Sequence, residues 1–137
     1  MRIIFTILFL FIASFSFGQV VEKTISVGEK IYILPCKKGA KEFVAMDVYA
    51  RTKPFDKSKI DTLTGEGLLQ EFFNDKSIDA KRLPCSMGGY YYRIAAYHEF
   101  EDKGTVKRVL LCYTSYPLTL IWIELDKANE LGEISFN

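Results

Sequence analysis

Two runs of strand-forming residues, 90–101 (YYYRIAAYHEFE) and 105–115 (TVKRVLLCYTS), flank Asp102-Lys103-Gly104. A two-residue Lys-Gly loop is suited to a tight hairpin. Placing the turn there pairs Asp102 with Thr105. Counting back sets Glu99 against Arg108, an opposite-charge cross-strand pair. The same register puts Tyr97 against Leu110, Ala96 against Leu111, Ala95 against Cys112 and Ile94 against Tyr113. Turn chemistry and side-chain pairing agree, so the rest of the chain must be accommodated around an antiparallel hairpin.

The other segments extend that sheet. Residues 24–27 and 30–34 (KIYIL) read as strand, with Gly28-Glu29 as a bend between them. Residues 43–50 (FVAMDVYA) read as the next strand, and the Gly-containing loop PCKKGAKE predicts an N-terminal hairpin. Tyr116-Pro117 marks a turn, after which residues 118–125 (LTLIWIEL) return as a strand with the proline outside the ladder. Leu68, Leu69, Phe72 and Phe73 form the one helical stripe, with Thr64 as N-cap and Asn74 at the end. Residues 51–59 are polar and proline-containing, a surface loop. The order β-β-α-β-β-β predicts an α+β fold: a mostly antiparallel sheet of about five strands with one short amphipathic helix packed on it.

The N-terminus carries an address. Met1-Arg2 precedes the apolar run IIFTILFLFIASFSFG, with small residues at Ser16 and Gly18. This is the layout of a secretory signal peptide, cut after Gly18. The apolar stretch 3–13 is too short to cross about 30 Å of hydrocarbon comfortably. The first cysteine is Cys36, so the chain lacks the Cys a lipid anchor needs beside the cut. Residues 19–137 are expected to form a single domain, with no linker or low-complexity tract, and 126–137 as a looser tail. The chain has 18 basic and 17 acidic side chains. Loss of Arg2 with the leader balances them. A balanced charge argues against a nucleic-acid binder, and no membrane span is expected after cleavage.

Export leads to a compartment where disulfides persist. Leu34-Pro35-Cys36 and Leu83-Pro84-Cys85 share the pattern LPCxxG, an echo at 34–39 and 83–88. Cys36 and Cys85 both follow proline in turn-like segments, whereas Cys112 lies inside an apolar strand. The expected bridge is Cys36–Cys85, with Cys112 free; pairings through Cys112 remain open. There is no C-x-x-C pair and one His, so no metal site and no cofactor are expected.

The same scarcity limits catalysis. His98 would have to serve any imidazole mechanism, and strand alternation points it away from Cys112. There is no G-x-S-x-G, and Gly65-Glu66-Gly67 carries an acid where a phosphate loop needs a base. Glu99, Glu101 and Asp102 read as an exposed edge. The distinctive chemistry is aromatic: Tyr90, Tyr91, Tyr92, Tyr97, Tyr116 and Trp122 are the candidate binding residues, since such side chains suit surfaces that are half apolar and half wet. The leading expectation is a small exported binding domain without catalytic activity. It would contact a protein partner in the periplasm or outside the cell, as an inhibitor or immunity-type protein does. One alternative is a module for a small apolar ligand, lined by Phe72, Phe73, Ile94 and Trp122. The other is a hydrolase or thiol enzyme using His98.

Overall fold

The computed structural model describes residues 24–136. The expected signal peptide, residues 1–18, lies outside the described residues. Seven strands form one antiparallel sheet: β1 (Lys30–Ile33), β2 (Glu42–Ala50), β3 (Asp79–Pro84), β4 (Tyr90–Asp102), β5 (Thr105–Tyr113), β6 (Thr119–Glu124) and β7 (Ile134–Ser135). Their order is β3-β2-β6-β5-β4-β1-β7. Two short helices join them, α1 (Leu68–Phe72) and α2 (Leu125–Glu130). A mainly antiparallel sheet with few helices is therefore as the sequence predicts. The number and order of the strands are not.

The β4–β5 hairpin has the predicted register from Asp102↔Thr105 through Glu99↔Arg108 to Ala96↔Leu111. Lys103 (φ 51°) and Gly104 (φ 81°) are both left-handed, as a type I′ turn requires. Beyond Ala96 the register slips, and Cys112 pairs with Ile94 rather than Ala95. Ala95 and Ala96 form a bulge, and both join the same cluster of buried side chains. The predicted pairs Ala95–Cys112 and Ile94–Tyr113 are thereby replaced. The bulge has a packing reason. A side chain at Gly65 (φ 79°) would lie 2.4 Å from the Ala95 carbonyl oxygen and 2.8 Å from Ala96 Cβ. Small residues on β4 thus let the backbone of the 61–67 loop rest directly on the strand.

The N-terminal hairpin does not form. β1 pairs with β4 and β7, whereas β2 pairs with β6 and β3. The sheet curls until its two ends approach, so consecutive strands lie on either side of a seam. Among the described residues, a disulfide and a carboxylate cross that seam. The Cys36–Cys85 disulfide joins the segments that follow β1 and β3, with Cα atoms 5.5 Å apart. The Glu133 carboxylate, just before β7, accepts hydrogen bonds from Val44 N and Ala45 N of β2, both 2.9 Å. Cys85 N donates to Lys41 O and so continues the β2–β3 ladder up to the bridge. β3 escapes notice in the sequence because four of its six residues, Asp79 to Arg82, are exposed. It is held by its ladder to β2 and by the Arg82–Asp47 ion pair. Residues 24–26 are not strand, and the chain turns at Val27-Gly28. The segment after Leu125, expected to be looser, forms α2 and β7.

Strand alternation and curl divide the buried residues between two faces. The inner cluster includes Ile31, Ile33, Met46, Ile94, Leu110, Cys112, Ile121 and Ile123, and Leu125 and Ala128 of α2 complete it. The outer cluster joins Ala95, Ala96, Val109, Leu111 and Leu120 to Leu68 and Phe72 of α1. Five residues are too few for a helix to stand alone. α1 is shorter than its stripe predicts. Thr64 instead closes a local turn by accepting from Glu66 N, and Gly67 is the N-cap. Burial of Leu68 and Phe72 supplies one anchor. Arg51 supplies the other. Its guanidinium donates to Glu71 O, Phe72 O, Asn74 Oδ1, Lys53 O and Pro54 O, and lies over the Phe55 and Phe72 rings. It thereby satisfies carbonyls that the C-terminus of α1 leaves open.

Candidate functional site

β4 is thirteen residues long, and β5 covers only part of it. The β5 ladder ends where Cys112 faces Ile94, and residues 114–116 then turn away toward β6. The uncovered end of β4 forms one wall of an open groove of about 580 Å³. Tyr90, Tyr91, Tyr92 and Arg93 line it from β4, Lys30 from β1, Ser86 and Met87 from a 3₁₀ turn, and Tyr113 to Tyr116 from the opposite side. Four of the six predicted binding residues, Tyr90, Tyr91, Tyr92 and Tyr116, are therefore neighbours. Tyr90 (60%), Tyr91 (54%) and Tyr116 (66%) are among the most exposed large apolar side chains.

Each ring has a definite setting. Tyr92 packs against the inner cluster, and its hydroxyl donates to Met87 O at 2.6 Å. Burial raises the pKa values of Tyr92 and Tyr113, keeping both phenols neutral. Tyr91 leans against Tyr32, its cross-strand partner, with ring centroids 4.8 Å apart. The next pair outward is Lys30↔Arg93, two cations directly opposite each other. Arg93 donates to Gly28 O at 2.7 Å. No carboxylate belongs to the lining. The groove is thus aromatic, hydroxyl-bearing and positively charged.

Tyr97 and Trp122 are elsewhere. Tyr97 is six residues along β4 from Tyr91, about 20 Å at strand rise. The bulge also moves it to the inner face, where its hydroxyl donates to Glu99 Oε1 at 2.8 Å. Trp122 stacks on Phe100 on the outer face, with centroids 5.7 Å apart, beside Tyr49 and Phe73. These are packing roles. Ile94 belongs to the inner cluster and Phe72, Phe73 and Trp122 to the outer one, so the four cannot line a common pocket. A hollow of about 370 Å³ does adjoin the groove. It shares Tyr113, Thr114 and Tyr116 and adds Phe55, Ile60, Leu68, Pro117 and Leu120.

Sequence reasoning missed Tyr32, Lys30 and Arg93. Alternation in KIYIL could have turned Tyr32 outward. The cation pair became visible only once β1 was seen to pair with β4.

His98 has no thiol at hand. Cys112 faces the inner cluster, and burial pushes its thiol pKa up, keeping it protonated. Cys36 and Cys85 are joined to each other. His98 lies on the outer side, near Phe100, and burial lowers its pKa. Among the described residues, no group of three or more His, Cys, Asp or Glu is placed to hold a metal ion. No helix among them is long and apolar enough to cross a membrane. The two LPCxxG segments diverge after the cysteine: Gly39 is left-handed (φ 88°), and Gly88 is extended (φ −80°).

Comparison with protein-family models, with curated proteins and with solved structures found no match to this chain.

Proposed function

We propose that this protein is a small exported binding domain that acts on a protein partner in the periplasm or outside the cell through the tyrosine groove. One observation carries the reading. Side chains from β1, β4 and the β5–β6 turn converge to leave several tyrosines exposed around one concavity. Exposed aromatic rings on a rigid sheet lose little conformational entropy on binding and supply large contact areas. A masking role, as in an inhibitor or immunity protein, needs nothing further from the domain. The disulfide and the leader-like N-terminus support an oxidising destination.

The test is affinity capture from the envelope and medium of the producing cell. Wild-type protein and a Val106→Ala control, altered at an exposed site on the far hairpin, are expected to retain the same partner. A Tyr91→Ala/Tyr116→Ala variant is expected to lose it. Equal retention by the tyrosine variant would remove the groove from the binding surface. The apolar hollow beside Tyr116 supports a second reading, a site for a small apolar ligand. Saturable uptake of an apolar fluorescent dye, blocked by Leu120→Trp, would favour it.

A further inference from the structure

We infer that the groove takes an extended, acidic segment of the partner as an added strand along the open edge of β4. This rests on the binding reading above and specifies its mode. Ile94 N donates to Glu29 O and Ile94 O accepts from Gly28 N, each at 2.8 Å. At the other end of the run the left-handed Gly89 (φ 84°), just outside the strand, donates its N–H to Ile33 O at 2.7 Å as a bulge that interrupts the alternation there. Backbone groups of successive strand residues point to alternate sides. Tyr90 and Tyr92 therefore turn their N–H and C=O toward β1, and Tyr91 turns its own toward the groove. No strand among the described residues lies on that side, because the β5 ladder stops opposite Ile94. A peptide laid there would gain backbone hydrogen bonds from Tyr91, with specificity from the flanking side chains.

Charge selects the kind of segment. Lys30 and Arg93 face each other across the β1–β4 pair, an arrangement that repels. Neither is a member of an ion pair among the described residues, and no Asp or Glu lines the groove. An acidic side chain seated between them relieves that repulsion. The protein as a whole is close to neutral, so this preference is local.

The experiment uses the disulfide-bonded protein, labelled for amide NMR, and three capped six-residue probes. The first alternates glutamate and valine. The second replaces glutamate by lysine. The third is the glutamate peptide N-methylated at alternate residues. The glutamate peptide is expected to shift amides 90–93 and 114–116 and to protect Tyr91 N–H from exchange. N-methylation is expected to weaken it about fivefold per lost hydrogen bond. Lys30→Glu with Arg93→Glu should weaken it by about fivefold per cation at low salt and favour the lysine probe instead. Equal binding of the N-methylated probe, or an unprotected Tyr91 amide, would overturn strand addition. Equal binding of the lysine probe to wild type would overturn the acidic preference. Protection of Tyr91 without peptide, rising with protein concentration, would assign the edge to a second copy and overturn the inference. The two readings separate cleanly. If Tyr91→Ala/Tyr116→Ala loses the envelope partner while N-methylation has no effect, strand addition fails and the groove reading stands.

Discussion

Replacing Arg51 by alanine tests the account of the outer face most directly. The Arg51 side chain is 4% exposed, lies 3.8 Å from Asp75 and makes five hydrogen bonds. Only the bond to Phe72 O, at 2.7 Å, is fully buried. Removing its donor leaves a buried carbonyl unsatisfied, at about 1–3 kcal/mol. The other four are partly buried, so water can replace the donor; about 0.5 kcal/mol each is a reasonable loss. The sum is about 3–5 kcal/mol, the range found when one member of a buried charged network is deleted. Arg51→Lys keeps the charge but not the planar fork and should lose about half as much. Urea denaturation followed by Trp122 fluorescence measures this. Trp122 is the only tryptophan, and its ring lies 5.9 Å from that of Phe73 at the end of α1. A loss below about 1 kcal/mol, the scale of a surface pair, would refute the view that Arg51 organises the 51–75 segment.

Two further outcomes follow from the packing. Burial lowers the His98 pKa, and its Nε2 has no hydrogen-bond partner, so the unfolded chain takes up the proton first; stability should decline as pH falls below about 6.5. His98→Phe should flatten that decline between about pH 7.5 and 5, and an unchanged slope in thermal melts would rule His98 out as its cause. Reducing Cys36–Cys85, which closes a 49-residue separation, should cost about 4 kcal/mol in the chain-entropy estimate; a reduced protein with an unchanged denaturation midpoint would show that the seam holds without it.

The sequence was most legible where local chemistry and long-range pairing coincide. Lys103-Gly104 fixed the turn, and Glu99–Arg108 confirmed the register for seven residues. It failed at Ala95-Ala96, because nothing local announces that a distant glycine will need their small surfaces. β3 was invisible for a different reason. DAKRLP has no apolar alternation, and its strand exists only through pairing with β2. The N-terminal hairpin failed because a turn-rich loop can join neighbours across a seam as readily as neighbours in a ladder. The tyrosines were legible as a set but not as a site. Composition marked them, whereas the end of the β5 ladder and the bulge decided which of them meet. Arg108 illustrates the same limit: it sits opposite Glu99 as predicted, yet bonds Asp126 of α2.

The two LPC segments are the halves of a clasp. One ends the first strand, the other ends the third, and four strands lie between their places in the sheet. Thiols on Cα atoms more than about 7 Å apart cannot join without backbone movement. Once the intervening strands have found their register and the sheet has curled, the two Cα atoms are held 5.5 Å apart, within bridging distance. In the folded state oxidation is a latch across the seam. The rate at which the reduced, folded chain acquires it reads how closely the seam is held, measurable by trapping free thiols.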